Sequence, residues 1–242
     1  MAGVRARDDT SAHESRIRAM FDAIADDYDR LNRSLSFGQD ALWRSAAARR
    51  ARLDAGETAL DVGTGTGDLA FALLARSHRT SRVVGLDLAS GMFARARAKA
   101  AARGVVDRFR LLQGSVLAIP APDASFDRLV SAFMLRNVAD LGRTFAEIRR
   151  VLRPGGRAVL LELSKPRPGL FAAAYRRYFY DVLPRVAALL GGEPAAYAYL
   201  PRSLTPFPDA DALSARLAAA GLHDVRYTRL TFGVAAIHEG TR

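Results

Sequence analysis

Cysteine is absent from the 242 residues, which excludes a disulfide framework, a thiolate nucleophile and any cysteine-ligated zinc or iron–sulfur cluster. The four histidines, His13, His78, His223 and His238, stand far apart, so no metal site is predicted. Lysine is nearly missing: it occurs only at Lys99 and Lys165, and arginine supplies the rest of the 36 cations. No uninterrupted apolar run reaches the ~18 residues that a spanning helix needs. The opening MAGVRARDDTSAHESR has no apolar stretch behind its arginines, so it does not read as a secretory signal. Together these absences predict a cytoplasmic chain, or one peripheral to a membrane.

What is present is ordinary globular composition, half apolar and a quarter charged, at a length that suits a single large domain. The net charge of +11 invites nucleic acid or an anionic membrane as a partner. Against that reading, the arginines are spread along the chain beside acids, and alanine runs such as Ala46 to Ala48 match the bias of a GC-rich genome.

Apolar β-branched runs alternate with Ala/Arg-rich stretches of helical period, which predicts a mostly parallel sheet covered on both faces. Candidate strands are Thr58–Val62, Arg82–Asp87, Phe109–Gln113, Arg128–Ala132 and Arg157–Leu163. Helices are expected from near Asp68, Ser90 and Asp140, the last two suited to N-terminal capping. A further helix, Ala210–Ala220, is expected to stop at a left-handed Gly221. Two more strand-like runs, Asp224–Leu230 and Thr231–Ile237, follow around Phe232-Gly233. Ahead of the first strand, Ser15–Asp29 and Asp40–Arg52 read as amphipathic helices that lie over the mouth of a site as a lid. Pro120 to Pro122, Pro154 to Gly156, Pro166 to Gly169 and Pro201 to Pro208 read as loops.

The strongest chemical signal is Leu60-Asp61-Val62-Gly63-Thr64-Gly65-Thr66-Gly67-Asp68, a strand running into a glycine-rich turn and then a helix. Glycine there lets a ligand approach the backbone closely. Asp87 ends the next strand, where a carboxylate accepts hydrogen bonds from both ribose hydroxyls of an adenosine cofactor. That spacing suits NAD and S-adenosylmethionine alike. The absence of the longer GxGxxG form, and acids at Asp61 and Asp68 that would repel a pyrophosphate, favour S-adenosylmethionine, whose ammonium and sulfonium are cationic. Structural roles compete: Asp61 bonding its own loop, and Asp68 as a helix N-terminal charge.

Downstream, Gln113-Gly114-Ser115-Val116 ends the third strand and Pro120-Ala121-Pro122-Asp123-Ala124-Ser125-Phe126-Asp127 leads into the fourth. This order resembles the class I S-adenosylmethionine-dependent methyltransferases. Across nearly the whole chain the sequence is similar, more specifically, to the ubiquinone/menaquinone biosynthesis C-methyltransferase family. The likeness rests on Met20-Phe21-Asp22-Ala23-Ile24-Ala25-Asp26-Asp27-Tyr28-Asp29-Arg30-Leu31-Asn32, the GTGD turn, Leu135-Arg136-Asn137-Val138, Glu162-Leu163-Ser164-Lys165-Pro166, Val182-Leu183-Pro184 and Gly233-Val234-Ala235-Ala236-Ile237-His238. The resemblance implies an α/β three-layer sandwich, Rossmann-like, with a seven-stranded, mostly parallel sheet whose last strand is antiparallel. It implies a single domain over 1–242: a helical lid at 1–52, a cofactor-binding core at 53–165, and substrate-side helices with the final strands at 166–242.

By that resemblance Thr66, Asp87, Ser115 and Val116 contact the cofactor, joining Asp61, Gly63 and Gly65. Ser115 departs from the acid or asparagine usual there, and Ala132 from a common serine. Arg136 is the candidate catalytic cation, since arginine attracts a phenolate but cannot accept a proton. A salt bridge from Arg136 to Asp140 is the competing structural role. Tyr28 joins Arg136 as a catalytic candidate, while Asn137 and Tyr178 are substrate-binding candidates. The stretch Phe171 to Leu190, with Tyr175, Tyr178, Phe179, Tyr180 and Leu183 among Arg176 and Arg177, reads as lipid-facing or as ordinary packing.

The implied reaction is methyl transfer from S-adenosylmethionine to a ring carbon of a polyprenylated quinol, demethylmenaquinol or its benzoquinol counterpart, without a metal. Peripheral contact with the inner face of an anionic membrane is expected, and no nucleic-acid partner. The oligomeric state is left open, a homodimer included. A methyltransferase for another hydrophobic small molecule, such as a polyketide or sterol, is the enzymatic rival. A non-catalytic basic nucleic-acid-binding protein is the rival of a different class; a dense cationic tract with aromatic spacing would favour it, and none is present.

Overall fold

Strand-forming runs that are apolar at nearly every position need cover on both faces, and parallel pairing with helical crossovers supplies it. The computed structural model describes residues 2–183, 185, 186, 199 and 201–242. Its strands β1 (Thr58–Val62), β2 (Arg82–Asp87), β3 (Phe109–Gln113), β4 (Phe126–Ala132), β5 (Leu152–Leu163), β6 (His223–Leu230) and β7 (Ala235–Thr241) form one sheet of order β3-β2-β1-β4-β5-β7-β6. β1 to β5 pair in parallel, and β7 runs antiparallel to both its neighbours, β5 and β6. The helices are α1 (Ala2–Ile24), α2 (Tyr28–Leu35), α3 (Gln39–Ala51), α4 (Asp68–Leu74), α5 (Phe93–Ala102), α6 (Leu141–Val151), α7 (Leu170–Arg177) and α8 (Ala210–Ala219).

Strand alternation divides the core in two. Leu60, Leu129 and Leu160 pack with Phe145 and Ile148 of α6 and Leu213 and Leu217 of α8. Ala59, Val130, Val159 and Leu161 pack on the other face with Ala47 and Ala48 of α3, Leu73 and Leu74 of α4, and Ala96 and Ala100 of α5. The predicted three-layer sandwich is therefore the observed one. Strand order reverses between β1 and β4, and ligands of open α/β sheets bind in the crevice beyond the strand ends at such a point.

Several local expectations need correction. The stretch Ser15–Asp29 is not one helix: α1 begins at Ala2, the chain turns at residues 25–27, and α2 starts at Tyr28. Ser90 does not cap α5, because Ser90–Met92 is a single 3-10 turn and α5 begins at Phe93. Asp140 does cap α6, accepting from the Arg143 amide at 2.9 Å. Pro154 to Gly156 is not a connecting loop but lies inside β5, where the register to β4 shifts between Phe126 and Arg128. The final strand starts at Ala235, not Thr231, because Thr231–Gly233 makes a 3-10 turn with left-handed φ at Thr231, Phe232 and Gly233. In Pro201 to Pro208, residues 201–204 are helical. Pro184 and residues 187–190 of the aromatic stretch lie outside the described residues.

Candidate active site

At the end of β1 the turn needs glycine for two reasons. Gly63 and Gly65 hold left-handed φ of 70° and 53°, and a Cβ on Gly63 would sit 2.5 Å from the Met134 side chain. The amides of Gly63 and Thr64 both donate to the Leu86 carbonyl, at 2.8 and 3.0 Å. Asp87, at the end of β2, braces the same turn: its carboxylate accepts from the Gly65 amide at 2.7 Å and the Ala89 amide at 2.9 Å.

These elements wall a first cavity of about 100 Å³. Val62, Gly63 and Gly65 come from the first strand and its turn, Asp87 and Leu88 from the second, and Gly114, Ser115 and Val116 from the third. α1 adds Glu14, Ile17 and Phe21. Burial pushes the Asp87 carboxyl up, against the amides of Ala89 and Gly65 that hold its charged form. Asp61 lies behind the turn, 1 % exposed. Its Oδ2 accepts from the Thr64 hydroxyl at 2.8 Å, while Oδ1 is buried without a partner among the described residues. Burial raises the Asp61 carboxyl to about 7; the Thr64 bond opposes the shift and the Asp87 charge adds to it. The site thus holds two buried carboxylates that repel each other beside a cavity.

A second cavity of about 220 Å³ adjoins the first, with Tyr28 and Phe133 forming part of both walls. Its lining is mostly apolar and aromatic, from α2, α3 and the stretch Phe171 to Leu183. Two guanidiniums face it. Arg44 pairs with Asp40 within α3, and Arg136 donates to Glu162 Oε1 at 2.5 Å and to the Phe133 carbonyl at 2.8 Å. Their carbons lie 5.1 and 5.9 Å from the Phe133 ring centre. Glu162 also accepts from the main-chain amides of Arg136 at 3.2 Å and Leu163 at 2.8 Å, so one buried carboxylate fixes both backbone and side chain of Arg136. The Nε of Arg136 is buried with no partner among the described residues. Burial raises the Tyr28 phenol, with Arg44 and Arg136 opposing, so at neutral pH it is a hydrogen-bond donor.

The N-terminal helices are tied over the first cavity by side chains. Ser115 donates to Glu14, and the His13 ring lies 2.8 Å from the Asn137 carbonyl. Asp22 accepts from the Gly91 amide at 2.8 Å, and Asp26 pairs with Arg95 at 2.9 Å. Lys99 reaches Asp29 at 2.5 Å, Asp68 at 2.7 Å and Thr66 at 2.8 Å, and Thr66 donates to Asp29 at 2.6 Å.

Of the residues singled out from sequence, Gly63, Gly65, Asp87, Ser115, Val116 and Tyr28 converge on the first cavity. Asp61 and Thr66 do not border it, the latter being engaged with Asp29 and Lys99. Asn137 borders the first cavity and not the second, with its Nδ2 donating to the Phe133 carbonyl at 3.3 Å. Arg136 and Tyr178 border the second, where the Tyr178 hydroxyl donates to the Leu35 carbonyl at 2.9 Å. The ion-pair partner of Arg136 is Glu162 and not Asp140. His238 is buried away from both cavities, its Nε2 3.0 Å from the Ala210 carbonyl. Sequence reasoning missed Glu14, Ile17 and Phe21, although their spacing marks one helix face, and it missed Arg44 and Phe133. Among the described residues no group of three or more histidine or acidic side chains is placed to hold a metal.

The sequence has relatives over nearly its whole length. A demethylmenaquinone methyltransferase of Thermus thermophilus is 50 % identical, covering 92 % of this chain and 100 % of its own. A ubiquinone/menaquinone biosynthesis C-methyltransferase of Geobacter sulfurreducens is 42 % identical, over 94 % of this chain and 88 % of its own. In structure, a SAM-dependent methyltransferase of Thermotoga maritima superposes with a TM-score of 0.65 at 17 % identity, covering 92 % of this chain and 98 % of that one, which shows the shared fold. With residues 9–242 matching it, the chain belongs to the ubiE/COQ5 methyltransferase family.

Proposed function

We propose that the chain transfers a methyl group from S-adenosylmethionine to a ring carbon of a polyprenylated quinol, demethylmenaquinol or the equivalent benzoquinol. The observation that carries this reading is the pair of adjoining cavities that share Tyr28 and Phe133, one beside two buried carboxylates and the other apolar with two guanidiniums. The acidic cavity fits a cofactor bearing an ammonium and a sulfonium and repels a pyrophosphate. We assign the ribose hydroxyls to Asp87, which borders the first cavity, and to Asp61 a supply of charge from behind the turn. Ser115 already donates to Glu14 and accepts from the Leu117 amide, so the acid for an adenine amino group on this wall is Glu14, delivered by α1. When bound, the cofactor supplies an electrophilic methyl group on sulfur.

The chain's own residues act on the acceptor. Arg136 and Arg44 favour the phenolate over the phenol, whose proton passes to water because arginine cannot accept it. The phenolate oxygen raises the nucleophilicity of the neighbouring ring carbon, which after receiving the methyl group gives up its own proton to water as the ring regains aromaticity. Phe133 and Tyr28 hold the ring at the boundary between the cavities, where in-line approach removes much of the entropic barrier. The first two helices, residues 2–35, serve as the lid, α3 belongs to the sandwich and lines the second cavity, 53–165 serve as the cofactor core and 166–242 as the acceptor side. No helix among the described residues is long and apolar enough to cross a membrane; a polyprenyl acceptor resides in lipid, and on that ground we propose that the reaction takes place at the inner membrane face through peripheral contact. The test is chemical: a quinol can become a phenolate and an oxidised quinone cannot. Methyl transfer is expected with the reduced acceptor and essentially none with the oxidised one; equal rates would overturn the mechanism.

A further inference from the structure

The three most exposed large apolar side chains among the described residues flank one cavity mouth. Phe37 is 79 % exposed, Leu170 93 % and Phe232 80 %, and Phe171 is exposed beside them. The rings of Phe171 and Phe232 lie 4.9 Å apart, and Phe37 packs 5.8 Å from Tyr178. Phe37, Phe171 and Tyr178 line the second cavity, so this patch is its mouth. The backbone presents it against local preference: Phe37, Thr231 and Phe232 have φ of 52°, 45° and 55°, in the left-handed region that aromatic and β-branched residues avoid. Strain held in a residue that gains little burial from its own chain marks a surface with a use.

Charge accompanies the aromatics. Arg177 lies two turns along α7 from Leu170, on the same helix face, with Arg176 next to it, and Arg33 precedes Phe37 by one turn; all three are exposed. Arginines on apolar stems beside exposed rings suit a headgroup layer, where the stems and rings enter the acyl boundary and the guanidiniums meet phosphates. Two such rims facing each other would repel, which disfavours a second copy as occupant.

We propose that this rim is the edge by which the protein docks onto an anionic bilayer, so that an isoprenoid tail passes from the lipid straight into the second cavity. The proposal rests on the polyprenyl acceptor assigned above and names where the membrane contact is made. Leu170→Ser with Phe232→Asn tests it, because neither residue borders either cavity and asparagine tolerates the left-handed backbone. Partition is measured by co-sedimentation with phosphatidylcholine vesicles, with and without phosphatidylglycerol, in the absence of cofactor and acceptor. The parent is expected to favour the anionic vesicles and to lose that preference as salt rises. The double variant, with an unchanged melting temperature, should partition at least about tenfold more weakly. Its turnover on a vesicle-held acceptor should fall in step, while turnover on a tail-truncated acceptor in solution stays at the parent level. Undiminished vesicle binding by the variant would overturn the proposal, as would a parent dimer that the variant converts to monomer with vesicle binding unchanged. Rim-dependent binding by a parent that methylates no quinol would keep the docking edge and overturn only the acceptor assignment.

Discussion

At the scale of single residues the site is organised by buried charge, and charge buried in pairs changes what a substitution measures. Arg136 and Glu162 are 9 % and 1 % exposed in their side chains. Arg136→Ala should lower turnover by ~10²-fold, the loss expected when an electrostatic stabiliser is removed. It also strands Glu162 without its partner, at a cost of about 3–5 kcal/mol of stability. Arg136→Ala combined with Glu162→Gln should regain most of the melting temperature and none of the turnover, which separates the two effects. Asp61 carries a pH signature. Its carboxyl titrates near 7 when folded and near ~4 unfolded, so between those values the folded state holds the extra proton and stability falls as pH rises. Asp61→Asn should therefore melt higher than the parent at pH 8 and show no gain at pH 4. Cationic cofactor binding to the parent near pH 7 should release protons from this carboxyl, read by calorimetry in buffers of different ionisation enthalpy.

Among the elements, α1 and α2 are held over the first cavity by polar side chains as well as by apolar packing. Lys99 joins α5 to Asp29 of α2 and to Asp68 at the start of α4 at once, with its side chain 22 % exposed. Lys99→Gln should speed dissociation of the cofactor severalfold while leaving the acceptor KM unchanged. Trp43, the single tryptophan, lines the second cavity, so its fluorescence reports acceptor arrival without a label. The same scale shows what the sequence carried. Strand positions and the Gly63 to Gly67 turn were legible because they depend on local period and on glycine, and Asp140 and Gly221 were legible because capping is local. The turn at Ala25–Asp27 was not: it has no proline or glycine, and Asp22 and Asp26 are held by α5 and the turn before it. The left-handed Phe133 was illegible for the opposite reason, since tertiary packing of its buried ring overrides its local preference. Glu162 lay within reach: Ala132 and Leu161 are register partners on adjacent strands, which brings the following segments together.

For the molecule as a whole, closure of the sheet comes last in sequence. β7 lies between β5 and β6, and the Arg242 amide donates to the Gly156 carbonyl at 2.9 Å. Truncation after Ala236 should cost the cooperative unfolding transition seen by circular dichroism, because β6 then has no neighbour through which to join the sheet.

The division of walls between the two cavities also governs traffic. α1 contributes Glu14, Ile17 and Phe21 to the first cavity, whereas the second is walled by α2, α3, α7 and the segments near Phe179 and Val234. With the cofactor in the first cavity and the acceptor in the second, as proposed, each ligand would have its own doorway. On that reading, replacing spent cofactor would require α1 to move and break the Glu14 and Asp22 contacts, whereas a methylated acceptor would withdraw past the aromatic mouth with those contacts intact. Residence times at the two doors would then be set by different chemistry, polar latches at one and lipid partition at the other, and the water-borne and lipid-borne ligands would exchange on independent clocks.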